Sequence, residues 1–253
     1  MQVPVVVGIA IYKRVKPASE PTLMAGARGA RCDSIAPAAE ASTSSATDIR
    51  FRALVGEVAW ATLPLPVRRR FSRHLASGDV ALYRGTVAST CMSRAGRTLA
   101  NLLRLIGAPL PLVDGATGPA VVAVMEDPAL GGQAWIRTYS RPGSFPQVVH
   151  SAKRFRGPTG LEEYIGYGIG MSLNVVVEDG ALVFRSNRYF LEVGGWRVWL
   201  APALTPGRIE IVHRQEDDGT FLFSLALRHR LLGVLIDQKA YFRDVPDATC
   251  GAQ

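Results

Sequence analysis

The sequence predicts an α+β protein that is mostly antiparallel β: a curved sheet or barrel-like domain of about eight to ten strands, with two or three short helices in its N-terminal part. Three observations carry this. Glu178-Asp179-Gly180 lies between β-rich runs at 171–177 and 181–190, and Asp217-Asp218-Gly219 between runs at 208–215 and 220–229. Asp-Gly tolerates the positive φ angles of a type I′ turn, so each reads as a hairpin. Helical periodicity occurs only early, near 51–58 and 94–106, so no helix separates later strands as a doubly wound fold requires. The chain has 253 residues, 48% hydrophobic and 20% charged, enough apolar material for one domain and too much for global disorder.

The elements follow in order. Residues 1–48 read as a flexible extension, rich in Ala, Ser, Gly and Pro from Pro17 to Thr47. Its apolar run Val3–Ile11 has basic residues after it rather than before, the reverse of a secretory signal, and Met24 is an alternative start. One β-rich domain then covers 49–246, and 247–253 form a tail. Asp48 precedes the stripe Phe51, Leu54, Val55 and Val58, which predicts an N-capped amphipathic helix ended by Pro64 and Pro66. Val67–Leu75 reads as a second short helix. A strand spans 79–92. Ser93 caps a further helix with the stripe Leu99, Leu102, Leu103 and Ile106, stopped by Gly107 and Pro109. Runs at 120–125 and 133–140 flank Gly131-Gly132, and 234–242 is the last strand. Alternation places Phe221, Phe223, Leu225 and Leu227 on one face, with Ile209, Ile211 and His213 opposite them. Trp135, Arg137 and Tyr139 share another face.

Charge is concentrated. The net charge is +8, and residues 67–104 hold eight arginines against Asp79 alone. Arg68, Arg69, Arg70, Arg73, Arg94, Arg97 and Arg104 therefore form a candidate patch for an anionic partner, either an anionic membrane surface or a phosphorylated ligand. A solvated arginine face is the plainer alternative. Nucleic acid is disfavoured, because no zinc-finger spacing, aromatic RNA-binding motif or helix-turn-helix pattern occurs.

The chemistry-bearing residues are few. His74, His150, His213 and His229 are scattered, and the three cysteines are far apart, so no metal site and no disulfide framework is expected. Gly166-Tyr167-Gly168-Ile169-Gly170 leads into a strand and not a helix, and no Gly-x-Ser-x-Gly element occurs, so no cofactor is expected. Cys91 reads as a buried inert thiol, and Ser144 and Ser151 as loop serines. Glu162 and Glu163 are adjacent on an extended segment, which turns one of them inward, where it can work as an acid or base with His213. Pairing with Arg154 or Arg156 is the structural alternative. Arg137 and Tyr139 can grip a carboxylate or phosphate. Trp135, Trp196, Trp199 and Tyr241 offer aromatic surface for an apolar ligand.

Several segments together resemble a bacterial domain-of-unknown-function family, DUF4166. They are Trp135-Ile136-Arg137, Phe145, Ser151, Gly157-Pro158-Thr159-Gly160-Leu161-Glu162-Glu163, Glu178-Asp179-Gly180-Ala181-Leu182, Leu200-Ala201-Pro202, Gly219-Thr220-Phe221-Leu222-Phe223 and Leu232-Gly233. The resemblance covers about residues 50–245 and rests on the order and spacing of glycine turns and β patterns. It implies little chemistry. Similar members occur alone or behind NAD-binding-type reductase domains, which implies a reductase-type partner protein. The family's aromatic-rich ending is altered here to Asp237-Gln238-Lys239 before Tyr241.

The expected function is binding of a small hydrophobic or amphipathic molecule in a barrel pocket of a few hundred Å³. The alternatives are a cofactor-independent isomerase, cyclase or hydrolase using the carboxylate and His213, or a peripheral membrane or protein-interaction module using the arginine segment. The expected location is the cytoplasm, including the periphery of the inner membrane.

Overall fold

The computed structural model describes residues 47–245, apart from 77, 108 and 116. The predicted extension, Met24, Cys32, Cys250 and the predicted tail lie outside the described residues, except for 47 and 48. Eleven strands occur: β1 (Ala81–Met92), β2 (Gly118–Asp127), β3 (Gly132–Tyr139), β4 (Gln147–Arg154), β5 (Glu162–Gly166), β6 (Ile169–Glu178), β7 (Ala181–Val193), β8 (Trp196–Trp199), β9 (Arg208–Gln215), β10 (Phe221–His229) and β11 (Gly233–Asp244). Consecutive strands pair antiparallel from β1 to β7, and β11 pairs back onto β1. Residues 182–185 of β7 pair with β9, while residues 190–193 pair with β8. Ten strands thus close a meander barrel, and β8 stands outside the circuit as a short flap. Closure pairs every edge that an open sheet would leave exposed.

The predicted hairpins are present. Asp179 and Gly180 both have positive φ, 49° and 71°, as a type I′ turn needs. The strands predicted from β-rich runs are β1–β3, β6, β7 and β9–β11. Three more exist, β4, β5 and β8. Ser151 is accordingly a buried strand residue, not a loop serine. Cys91 lies on β1 with its side chain exposed, so it is not a buried thiol.

The N-terminal helical region is more broken than its periodicity predicts. Gly56, at φ 82°, separates α1 (Arg50–Val55) from α2 (Glu57–Thr62), and Val58 is 85% exposed instead of continuing the buried stripe. Asp48 does accept a backbone N–H, from Arg50 at 2.9 Å, and the Arg50 guanidinium also bridges Asp48 to Glu126. α3 (Leu65–Phe71) starts with Pro66 in its first turn, where the missing N–H costs nothing. α4 (Arg94–Leu102) is capped by Ser93, whose Oγ accepts from Gly96 N–H at 3.1 Å. A 3₁₀ turn, Leu103–Ile106, follows. α4 buries Gly96 and Ala100 fully; of the predicted stripe, Leu99 and Leu103 are half-buried against the core and Leu102 is exposed. A Cβ at residue 96 would collide with the Leu235 carbonyl oxygen, so the small residue lets the helix lie directly on β11.

These connections give the barrel two unlike ends. At the lower end, where β1 begins, α1 and α2 pack on β6 and α3 on β9. Phe51 and Phe71 reach inward from this cap, and their rings lie 6.0 and 5.8 Å from Phe184. At the upper end, where β1 finishes, lie α4, the 3₁₀ turn and the flap β8. The strands bury their apolar faces inside and carry Arg84, Arg214, Lys239 and Arg243 exposed on the outside.

Candidate functional site

The lumen is not purely apolar. Every second residue of β3 points inward: Gln133, Trp135, Arg137 and Tyr139, all buried. β4 aligns beside it with Gln147, Val149, Ser151 and Lys153 inward, and β5 contributes Glu163. Lys153 and Glu163 are Cα partners in the ladder, and their side chains form a fully buried ion pair. Arg137 joins them: its Nη2 donates to Ser151 Oγ at 2.6 Å and lies 3.6 Å from Glu163 Oε1. Burial alone would push the Glu163 carboxyl up, but the Lys153 ammonium and then the Arg137 guanidinium outweigh it and hold Glu163 below its ordinary value. Burial, with Arg137 adding to it, lowers Lys153 despite Glu163. For the pair as a unit, the direction that two facing cations impose is an ionised Glu163.

His213 faces the same lumen from β9. Its ring lies 5.1 Å from Phe71, 5.3 Å from Phe223, 5.7 Å from Phe184 and 6.0 Å from Trp135. Burial first, then the positive charges of Lys153, Arg70 and Arg137, holds it well below its ordinary value, so it is a neutral imidazole. The Lys153 ammonium sits 5.0 and 5.1 Å from the Trp135 and Phe184 rings, which also flank His213. Arg70 enters this layer from α3 with its guanidinium 3.6 Å above the Phe221 ring and a hydrogen bond to Gln215 Oε1 at 3.3 Å.

Some of these buried groups lack partners. Among the described residues, His213 Nδ1, Trp135 Nε1, Arg137 Nε, and Arg70 Nε and Nη1 find no hydrogen-bond partner. Those of Trp135, Arg137 and Arg70 are obligate donors. All four residues line one small cavity of about 20 Å³ under α3. Arg137 also borders a second, larger space of about 60 Å³ towards the upper end, together with Ser151, Glu163, Val149, Met171, Ile211 and Leu225. Half-buried Leu103, Pro109 and Pro206 form its outer margin. Both spaces are far smaller than the few hundred Å³ expected from the sequence. The lumen is largely filled by its own aromatic side chains.

The other sequence-predicted residues are placed as follows. Glu162 is buried on the outer side of the wall, bonded by Arg156 Nε at 3.2 Å and by Arg197, away from the lumen that holds Glu163 and His213. Glu192 bonds Arg154, Arg156 and Arg197 in the same network, which fastens β8 to the wall. Glu163 and His213 face one lumen but border different cavities, and no hydrogen bond joins them. Trp199 packs edge-on against Phe190 at 5.7 Å, whereas Trp196 is 80% exposed at the β7–β8 tip. Tyr241 points outward from β11. The arginine segment does not form one patch. Arg68, Arg69, Arg70 and Arg73 belong to the lower end, and Arg94, Arg97 and Arg104 to the upper end. The twelve residues of β1 separate them, roughly 40 Å of extended chain.

Sequence reasoning missed Lys153, the buried partner of Glu163. Its strand alternates polar residues inward and carries Val148 exposed, so no hydrophobic alternation announced it.

No curated protein and no solved structure matches the chain. A family described as a domain of unknown function, DUF4166, matches residues 63–242, which takes in the strands of the closed barrel up to the last two residues of β11, with Arg137, Lys153, Glu163 and His213 among them. The chain is a member of the DUF4166 family.

Proposed function

We propose that the barrel binds a small amphipathic anion, with its acidic head at Arg137 and its apolar part directed to the upper margin of the lumen. One observation carries this reading: Arg137, which borders the larger space, carries a buried Nε–H that finds no acceptor among the described residues, although buried donors are normally paired. The lumen also holds Arg137 and Lys153 against the carboxylate of Glu163, so a negative head improves its charge balance. Most of the remaining wall of the larger space is apolar, formed by Val149, Met171, Ile211, Leu225 and Leu227, with Ser151 and Glu163 as the polar neighbours of Arg137. That space admits a head of a few atoms, and the tail would leave between Leu103, Pro109 and Pro206. Proton-transfer chemistry is less supported, because Lys153 already occupies the Glu163 carboxylate and His213 touches no acid.

The test is thermal and chemical unfolding of the full chain with straight-chain carboxylates of increasing length, each beside the alcohol of equal length. Carboxylates should stabilise the protein, by about 2.7 kcal/mol when present at a hundredfold excess over Kd. The matched alcohols should not. Equal effects of acid and alcohol, or none from either, overturn the reading.

A further inference from the structure

The upper end carries an unusual surface. Among the described residues, seven large apolar side chains are more than 70% exposed. Five of them, Leu105, Phe145, Tyr167, Leu204 and Leu231, lie in upper-end connections, each in a different segment, and a sixth, Trp196, opens β8 directly after the 194–195 turn. The seventh, Val58, is at the lower end. Scattered exposed leucines need no explanation, but one on every hairpin tip at one end is a ring.

The charges sort the same way. The upper connections, 93–117, 140–146, 167–168, 194–195, 200–207 and 230–232, contain Arg94, Arg97, Arg104, Arg141 and Arg230. Their one acid is Asp114, which Arg97 already holds. The lower end mixes the two signs, with Asp48, Glu57, Asp79, Asp179, Glu216, Asp217 and Asp218 beside Arg50, Arg52, Arg68, Arg69, Arg70, Arg73 and Arg156, so the excess of arginine over acid is a property of the upper connections. Below the upper rim, where β7 leaves β9 to follow β8, a cleft of about 1040 Å³ opens on the barrel wall. Arg188, Arg208, Arg228 and Arg230 line it, and among the described residues no carboxylate forms an ion pair with any of them. Its acid, Glu210, is held by Arg185. The opposite side is Trp199, Leu200 and Pro202, with the Arg188 guanidinium 4.6 Å over the Trp199 ring.

Apolar tips surrounded by unpaired arginines match the two layers of an anionic bilayer surface, hydrocarbon beneath phosphate. No helix of the described residues is long and apolar enough to cross a membrane, and the barrel wall carries charges outward. Contact would therefore be end-on. We infer that the upper end docks on anionic phospholipid, its hairpin tips entering the interface while the arginine cleft takes lipid phosphates. A single-stranded nucleic acid would also meet arginine and aromatic groups, but it would have no use for leucines on three of the six tips. The inference uses only the outer surface and stands apart from the lumen reading.

The test is flotation of the full chain with phosphatidylcholine vesicles, with and without phosphatidylglycerol, at low and physiological salt. Binding should require phosphatidylglycerol and weaken with salt. Trp196 emission should shift to the blue, since the other tryptophans are buried or half-buried. The double substitution Arg208→Ser with Arg228→Ser should lower affinity about 25-fold, at about fivefold per arginine. Trp196→Ser and Leu231→Ser should each lower it by about tenfold or more. Val58→Ser, at the other end, should leave it unchanged. Three results would each overturn the inference: no flotation with phosphatidylglycerol, tip variants that float like the parent chain, or a single-stranded oligonucleotide that binds the protein more tightly than the vesicles do.

Discussion

His213 sits among five aromatic rings with an unbonded Nδ1, and its environment admits only the neutral form. Its folded pKa lies well below 6.5, so the unfolded chain takes up a proton first as pH falls. The sign follows: stability is flat above the unfolded value near 6.5 and drops below it, by about 1.4 kcal/mol for each pH unit while the folded imidazole stays neutral. His213→Phe should fold, since aromatic neighbours surround the site, and should lose this acid-side slope. Urea unfolding at a series of pH values from 7 down to about 5 reads it, and an unchanged slope would show that His213 is protonated in the folded state. Glu163 behaves in the opposite way. Its folded carboxyl lies below 4.5, so its contribution is complete above that value and disappears as pH falls through the folded pKa. Glu163→Gln leaves Lys153 and Arg137 facing each other without an anion. It should cost about 3–5 kcal/mol at neutral pH, because a broken buried pair leaves an uncompensated charge. A loss below about 1 kcal/mol, measured by urea unfolding, would mean that the pair is hydrated.

At the scale of elements, α4 shows what periodicity reads and what it cannot. Ser93 as cap and Arg94–Leu102 as helix were legible, because capping is a local, short-range interaction. Which residues are most deeply buried was not, because Leu99 and Leu103 are only half-buried against the core while Gly96 and Ala100 are fully buried, Gly96 against a backbone. Gly96→Ala should push the helix off the Leu235 carbonyl and destabilise the protein by about 1–3 kcal/mol, although alanine is the better helix former. A stabilised variant in denaturant titration would show that α4 rides free of β11. The hairpins were legible for the same local reason, since Asp179-Gly180 needs only its own φ angles. Strand β4 was not. Its inward row Gln147, Val149, Ser151, Lys153 makes sense only beside Arg137 and Glu163, and those neighbours come from other strands. Alternation put Arg137 on one face with Trp135 and Tyr139 and His213 with the apolar row, but it left open whether the Arg137 face was the exterior, and it could not find the ion pair that fills the space between walls.

At the scale of the whole barrel, a ten-stranded meander has room for a ligand or a packed core, and here aromatic side chains take most of it. Phe184, Phe221, Phe223, Phe242 and Trp135 fill one part of the lumen, and a space of about 60 Å³ walled by other residues remains beside Arg137. A filled lumen and a binding lumen differ in one measurable respect: whether added room is used. Leu227 is fully buried and lines that space. Leu227→Ala should cost about 2–5 kcal/mol, the transfer and cavity terms of a buried leucine. If the lumen is a site for an acidic amphiphile, a medium-chain carboxylate should restore more stability to Leu227→Ala than it adds to the parent chain, because the tail gains the vacated volume while Arg137 still holds the head. Binding then adds RT ln(1 + [L]/Kd) to the variant's unfolding free energy, and the matched alcohol, lacking the head, should restore less. A variant that recovers equally with acid and alcohol has only an apolar hole. One that recovers with neither has a lumen closed to solutes, and the arginine-lined outer cleft would then be the remaining place for an anion to bind.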